Sequence, residues 1–351
     1  MSDADSRIDN ATILVTGAAG FIGAHVAARL LRCCENSRIV GLDNMNDYYD
    51  PALKQARLDW IGQAAADSSS TWEFVQASIA DKATIDELFA AVKPHIVVHL
   101  AAQAGVRYSI DHPDVYIESN IVGFYNILEA CRHHPVKHLV YASSSSVYGN
   151  SSKVPFSTDD KTDEPVSLYA ATKKSDELLA YAYSSLYGIP MTGLRFFTVY
   201  GPFGRPDMFI YSATQKLLAR RTVQLYNEGL CRRDFTYIYD IVEGLVHVMS
   251  HLPAPREGVP HALYNIGGGR PELVNDVIST LIEELEARGA LPQGFDAEAH
   301  LERVGMQPGD VLLTYADTSA LERDFNFAPQ IGIREGIRRF VAWYTAYHGI
   351  S

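Results

Sequence analysis

The chain reads as an α/β protein built on a Rossmann-type, doubly wound parallel sheet, with a smaller C-terminal lobe for substrate. Three observations predict this. Short apolar segments alternate with helical ones from residue 12 to about residue 197. Several of those segments are apolar at almost every position, as strands are when helices cover both faces. The first of them runs into Gly17-Ala-Ala-Gly20-Phe21-Ile22-Gly23, a glycine-spaced turn that opens a helix.

The elements follow in order. Thr12 to Thr16 is the first strand, and a helix runs from about Ile22 to Cys33. Ser37 to Leu42 is a second strand and ends at Asp43. A polar, tyrosine-rich stretch (Asn44 to Asp50) leads to another helix, and Trp72 to Gln76 is a third strand. Asp81 to Val92 is helical, and His95 to Leu100 is a fourth strand. Val115 to His133 reads as one long helix. Lys137 to Ala142 is a fifth strand that delivers Ser143-Ser144-Ser145-Ser146, and Met191 to Phe197 is a sixth. After it Gly201-Pro-Phe-Gly-Arg-Pro206 breaks the rhythm. Phe235 to Leu252 and Tyr264 to Ile266 are expected to return to the main sheet. Ser68-Ser69-Ser70 reads as a loop. The resulting division is a disordered 1–10, a dinucleotide-binding domain over 11–198 rejoined by 235–266, and a substrate lobe from 199–234 and 267–351.

Bulk properties bound the function. The 351 residues are 47% hydrophobic and 21% charged, ordinary for a soluble globular protein, and exceed what one small core needs. A formal charge of −12 argues against nucleic acid or a membrane surface as partner. It leaves room for an anionic small molecule held by a few local arginines. Cys33, Cys34, Cys131 and Cys231 match neither a metal knuckle nor a disulfide framework and read as reduced cytosolic thiols. The first ten residues are polar and acidic, unlike a signal or transit peptide, and no apolar run is long enough to span a bilayer, so the cytoplasm is expected. His95 and His99 lie on a strand and His133-His134 at a helix end, so no metal is expected.

The glycine turn permits a tight bend, close approach of backbone to a pyrophosphate, and tight helix–sheet packing, with the helix N-terminus facing the phosphates. Asp43, ending the second strand, can accept hydrogen bonds from a ribose and would repel a 2′-phosphate, which favours NAD over NADP. Tyr169 and Lys173 stand one helical turn apart on one face. Free tyrosine ionises only near about pH 10. A neighbouring ammonium and a positive nicotinamide would both stabilise the phenolate and make it a usable base at neutral pH. At least one of the four serines, at the carboxyl edge of a parallel strand, can share that proton with a substrate alcohol. Arg107, Arg205 and Arg232-Arg233 are the candidate anchors for an anionic substrate, since a guanidinium fork suits diphosphate and carboxylate alike.

At this point residues from about 12 to 345 resemble the extended short-chain dehydrogenase/reductase family, and within it the sugar-nucleotide 4-epimerases, most closely those acting on UDP-glucuronate. The likeness is carried by Leu14-Val-Thr-Gly-Ala-Ala-Gly-Phe-Ile-Gly23, Asp43-Asn44-Met-Asn-Asp-Tyr-Tyr-Asp50, His99-Leu100-Ala101-Ala102-Gln-Ala-Gly-Val-Arg107, Ser143-Ser-Ser-Ser-Val-Tyr148, Tyr169-Ala-Ala-Thr-Lys-Lys174, Arg195-Phe-Phe-Thr-Val-Tyr-Gly-Pro202, Arg205-Pro-Asp-Met208 and Met306-Gln-Pro-Gly-Asp310.

The resemblance implies Tyr169 as base, Lys173 as its partner and Ser144 as the bridging hydroxyl, with Ser145 and Ser146 beside it. It implies NAD held by the glycine turn, Asp43, Asn44, Ser78, Ile79, Leu100, Ala101, Ala102, Tyr169 and Lys173. Arg233 and Asp310 match positions that hold UDP, while Thr198 and Arg205 mark a uronate-type pocket with Arg107 nearby. Ala77-Ser78 stands where the family usually has Gly-Asp, Tyr239 where relatives often have aspartate, and Gln307 where many carry an arginine for the diphosphate.

The implied reaction is inversion of carbon 4 through a 4-keto sugar. Such a ketone makes the C5 carboxylate a β-keto acid, so Ser145, Ser146, Thr198 and Arg205 would have to hold it out of line with the carbonyl. Loss of carbon dioxide (a decarboxylase), epimerisation of neutral UDP-hexoses, and a redox-sensing NAD-binding module without turnover are the alternatives. The family also pairs the helices around Val115–His133 and Leu168–Tyr187 into a homodimer.

Overall fold

The computed structural model describes residues 8–306 and 311–350. Its first half alternates strand and helix as the apolar pattern requires. In order come β1 (Thr12–Thr16), α1 (Phe21–Cys33), β2 (Arg38–Asp43), α2 (Pro51–Ala66), β3 (Thr71–Gln76), α3 (Lys82–Val92) and β4 (Ile96–His99). Two short helices, α4 (Tyr108–Asp111) and α5 (Pro113–Tyr116), precede α6 (Gly123–His133), β5 (His138–Ser144), α7 (Leu168–Tyr187) and β6 (Met191–Phe196). The second half contains β7 (Thr198–Tyr200), α8 (Phe209–Leu218), β8 (Val223–Tyr226), β9 (Arg232–Tyr237), α9 (Ile238–Met249), β10 (His261–Ile266), β11 (Pro271–Leu273), α10 (Val274–Ala287), β12 (Leu301–Val304), α11 (Ser319–Phe325) and α12 (Ile333–His348).

Seven strands form one parallel sheet in the order β10-β6-β5-β4-β1-β2-β3. The chain winds outward from β1 to β3, then outward the other way from β4, so the direction reverses between β1 and β4. The crevice beyond the carboxyl ends of that pair is where such sheets bind ligands. Strand alternation splits the core. Ile13 and Val15 pack with Ala24 and Ala27 of α1 and Leu245 of α9, whereas Leu14 packs with Phe89 of α3 and Phe124 and Ile127 of α6.

Two expectations are corrected. The run from Val115 to His133 is not one regular helix, because residues Ile117–Val122 widen into a π-turn between α5 and α6. The extra residue turns Asn120 inward, where it is 1% exposed. The segment 235–266 does not return whole to the main sheet. Phe235 lies in β9, which pairs with β7 and β11 in a separate three-stranded sheet, and only β10 joins β6. The helix α9 between them packs on α1 and covers the main sheet. Only Phe235–Tyr237 of the 235–252 stretch is strand, and it pairs with Thr198–Tyr200 of β7.

Beneath the crevice lies an unusual cation. Arg57 of α2 is fully buried. Among the described residues no carboxylate stands within ion-pair distance of it. Its Nη1 donates to Ala19 O (2.9 Å) and Tyr49 Oη (2.5 Å), its Nε to Phe203 O (3.1 Å), and its Nη2 to Phe203 O (2.8 Å) and Gly204 O (3.4 Å). Burying an unpaired guanidinium costs several kcal/mol, and these donors offset that cost by satisfying the whole fork. The bonds tie the glycine turn, the tyrosine-rich loop and the 201–206 loop to one side chain. Replacing Arg57 with Met strands three buried carbonyl groups, so denaturant unfolding of the variant should show a loss of roughly 3 kcal/mol or more; a loss below about 1 kcal/mol would mean the loops hold without it.

Candidate active site

The glycine turn is crowded by backbone. Gly17 has φ +72°, and a Cβ there would stand 2.7 Å from Ala101 N. A Cβ on Gly23 would stand 2.1 Å from Gly17 O. A side chain at either position would wedge α1 away from the strand ends and fill the space a pyrophosphate needs. Gly20, Phe21 and Ile22 lead into the N-terminus of α1, where Gly20 N donates back to Gly17 O.

Asp43, 8% exposed, overhangs this turn: its Oδ2 accepts from Ala19 N (3.2 Å) and its Oδ1 from Met45 N (2.9 Å), with Lys54 Nζ 3.8 Å away. Asn44 is exposed beside it. Ser78 Oγ is turned to its own backbone, accepting from Ala80 N, while Ile79 is buried under Gly123 of α6. Leu100, Ala101 and Ala102 border the crevice from β4, with Ala101 N held by Thr16 Oγ1. The residues present therefore fit a dinucleotide.

The second group gathers where β5 meets α7. Lys173 Nζ donates to Ala142 O (3.1 Å) and to Asp176 Oδ2 (3.1 Å), with only 3% of its side chain exposed. This seats the first turns of α7 against the strand end from which the serines emerge. Ser144 ends β5, and its Oγ caps the following 3₁₀ turn by accepting from Ser146 N (3.2 Å) and contacting Ser146 Oγ (3.1 Å). Ser145 and Ser146 are part-exposed at the cleft, and Ser143 turns inward to Glu177 (2.6 Å). Tyr169, part-exposed, meets the ring of Tyr116 edge-on at 6.1 Å. Tyr116 Oη in turn donates to Gly105 O (2.5 Å), so the loop after β4 leans on the same aromatic group.

The basic candidates stand on separate elements. Arg205 makes a bidentate pair with Asp207, Nε to Oδ1 at 3.0 Å and Nη2 to Oδ2 at 2.5 Å, and Tyr48 Oη donates to the same carboxylate (3.3 Å). Its guanidinium also lies near Gly105, where an added Cβ would be 3.8 Å from Nη2. Arg205 is thus a fixed fork facing the loop that leans on Tyr116. Thr198 is part-exposed at the start of β7, opposite Phe235. Arg107 reaches β8 instead, its guanidinium 4.3 Å above the ring of Tyr226. Arg233 Nη1 donates to Arg232 O (3.1 Å) and Leu312 O (3.4 Å). Gln307 and Asp310 lie outside the described residues.

Several residues that shape the site carry no signal a sequence reader would rank. Asn120 bonds Gln103 at both N and O and donates to Thr172 Oγ1 (3.0 Å), joining the β4 loop to α7. Asp234, fully buried, accepts from Gly268 N, Gly269 N and Ala316 N and so fixes the loops on both sides of Arg233. Burial pushes its carboxyl above the ordinary range despite those bonds. Glu177 and Arg195 form a bidentate pair (2.8 and 2.9 Å) that is closed off by Tyr148 and Asn265. Tyr239, a departure in the sequence, packs edge-on against His25 (5.7 Å) in the contact between α9 and α1. No group of ligating side chains suited to a metal occurs among the described residues.

A dinucleotide cradle at a sheet reversal, facing a tyrosine–lysine pair and a serine turn, defines a Rossmann-type protein for chemistry at an alcohol carbon. Residues 13–267 match the NAD dependent epimerase/dehydratase family, and the chain belongs to it. It is 41% identical to a probable UDP-glucuronate 4-epimerase of Rhizobium meliloti, over 94% of this chain and 96% of that one. It is 42% identical to UDP-glucuronate 4-epimerase 4 of Arabidopsis thaliana, over 96% of this chain and 76% of the relative. Among solved structures, UDP-glucuronic acid 4-epimerase from Bacillus cereus, in complex with UDP-glucuronic acid and NAD, superposes with a TM-score of 0.82 at 30% identity, covering 96% of this chain and 99% of that one.

Proposed function

We propose that this chain interconverts UDP-glucuronate and UDP-galacturonate by inverting carbon 4. The observation that carries the reading is the seating of α7, with Lys173 Nζ on Ala142 O. That bond sets the Tyr169 turn against the strand end that releases Ser144 to Ser146. The relatives named for this activity support the choice of substrate.

In this reading Gly17, Gly20, Phe21, Ile22 and Gly23 hold the pyrophosphate of NAD, Asp43 and Asn44 the adenosine ribose, and Ser78 and Ile79 the adenine. Leu100, Ala101 and Ala102 line its path toward Tyr169 and Lys173. NAD, when bound, supplies hydride acceptance and return at carbon 4. Tyr169, with Ser144 as bridge, takes the 4-hydroxyl proton and later gives it back, while the Lys173 ammonium stabilises the phenolate.

Arg233 and Asp310 anchor the diphosphate and uridine, helped by Gln307 and Arg107, so the sugar can turn while its nucleotide stays fixed. Ser145, Ser146, Thr198 and Arg205 hold the C5 carboxylate ionised and out of line with the C4 carbonyl. Asp207 contributes by locking the plane of the Arg205 fork.

A division into a dinucleotide-binding domain and a substrate lobe belongs to the same proposal, with 235–266 shared between them, β9 in the small sheet and β10 in the large one, as does a homodimer. Ile117, Val122 and Tyr125 on one helical stretch and Leu178, Tyr181 and Leu186 on α7 are 41–71% exposed, an apolar face suited to a second copy. Light scattering should return twice the 38.8 kDa chain mass, and a monomer at all concentrations would refute the pairing. No described helix is long and apolar enough to cross a membrane, and all four cysteines are thiols, which fits a cytoplasmic enzyme acting on a nucleotide sugar.

Incubation with UDP-glucuronate alone, followed by proton NMR, tests the activity. A growing UDP-galacturonate anomeric signal is expected, and a UDP-pentose signal would mean the carboxylate is lost and the reading is wrong. Tyr169→Phe should lower kcat about a thousandfold while retaining NAD; full activity in that variant would remove Tyr169 from the chemistry.

A further inference from the structure

The ammonium that is to stabilise a phenolate does not act as an isolated positive charge here. Lys173 Nζ lies 3.1 Å from Asp176 Oδ2, and the two side chains are 3% and 2% exposed. An ionised Asp176 would offset most of the lysine's charge as felt one helical turn away at Tyr169. The other oxygen, Asp176 Oδ1, is buried with no hydrogen-bond partner. A carboxylate held from one side only is poorly compensated, and its charge is the one in this cluster most easily given up.

The surrounding groups leave that choice to Asp176. On α7, Glu177 is already neutralised by Arg195 (2.8 Å) and faced by Lys174 (3.7 Å). From β5, the Tyr141 hydroxyl is engaged with His261 Nε2 (2.9 Å), and burial keeps it protonated. From β4, His99 nears Lys173, and burial with that ammonium holds it neutral, its pKa lowered to about 3. Burial pushes the Asp176 carboxyl up to about 7; Lys173 pulls the other way and Glu177 adds to the rise.

We propose that Asp176 is a positioning residue that holds Lys173 on β5 and sets how much of its charge reaches Tyr169. A reversible epimerisation needs one oxygen to accept a proton and then return it. A phenolate stabilised by a bare ammonium would be plentiful but weakly basic, whereas a countered ammonium keeps its proton affinity high enough for both halves of the cycle. Because the carboxyl and the phenol share one lysine, their ionisations oppose each other. As Asp176 ionises, ionising Tyr169 becomes harder, so the acid limb of the rate profile is drawn out over more than a single-proton curve.

The inference rests on Tyr169 being the acid/base, and its test separates the two. For Asp176→Asn in the NAD-bound enzyme, the acid limb of kcat should sharpen to one proton and move about one pH unit lower. The Tyr169 phenolate absorbance, isolated by subtracting a Tyr169→Phe titration, should move with it. Stability supplies an independent readout. Asp176 carries a raised pKa in the fold, so its cost to stability begins above the unfolded value and is complete above about 7. Asp176→Asn should therefore melt higher than wild type above that pH and match it in acid. An unmoved limb and absorbance with only kcat reduced, or a variant that melts lower at every pH, would overturn the proposal. A normal profile in Tyr169→Phe would instead sink the assignment beneath it.

Discussion

One buried guanidinium holds the working edge of this protein together. Three segments distant in sequence meet at the crevice: the glycine turn after β1, the tyrosine-rich loop after β2, and the 201–206 loop after β7. Arg57 donates to a backbone carbonyl or hydroxyl in each of them from a site without solvent. The carbonyls it engages flank the residues that matter, Ala19 beside Gly20 and Gly204 beside Arg205. Backbone carbonyls bring no counter-charge, so the guanidinium is stable there only while all three loops are in place. The glycine turn and the loop that carries Arg205 are therefore not independently mobile parts.

From that base, the two ends of the site do different physical work. The cradle depends on what is missing, since no side chain fits at Gly17 or Gly23 without displacing backbone. The corner between β5 and α7 depends on charges taken out of water, where Lys173, Asp176, Glu177 and Arg195 are each at most 3% exposed by side chain. Such pairs add little net stability over apolar packing, but they fix orientation where a proton must move between set atoms. In the second half of the chain Asp234 acts similarly, gathering three backbone N–H groups so that the loops near Arg233 keep one shape.

The strands β1 to β6 and the glycine turn were legible because they are local patterns: apolar runs of the right length and glycines at a fixed spacing. Asp43 was legible from its place at a strand end. Tyr169, Lys173 and the serines were legible as a spacing, and the resemblance supplied their roles. What stayed hidden is non-local or contrary to type. Phe235 begins the same apolar run whether β9 joins the large sheet or the small one. Arg57, on a helix with charged neighbours, reads as a solvated cation. Asp176 three residues after Lys173 reads as a surface ion pair, and only the packing of α7 against β5 removes its water. Arg205 and Asp207 are two residues apart, yet their bidentate pairing depends on a loop bend that this spacing does not fix.

In the proposed reaction carbon 4 is oxidised and re-reduced within one active site, with Tyr169 handling only the hydroxyl proton. UDP-glucuronate bearing deuterium at carbon 4, turned over in ordinary water, tests this most directly. Retention of the label at carbon 4 in both UDP-glucuronate and UDP-galacturonate through many turnovers is the predicted result. Washout of the label from carbon 4 to solvent would place the inversion on a deprotonated carbon 4 and contradict the account.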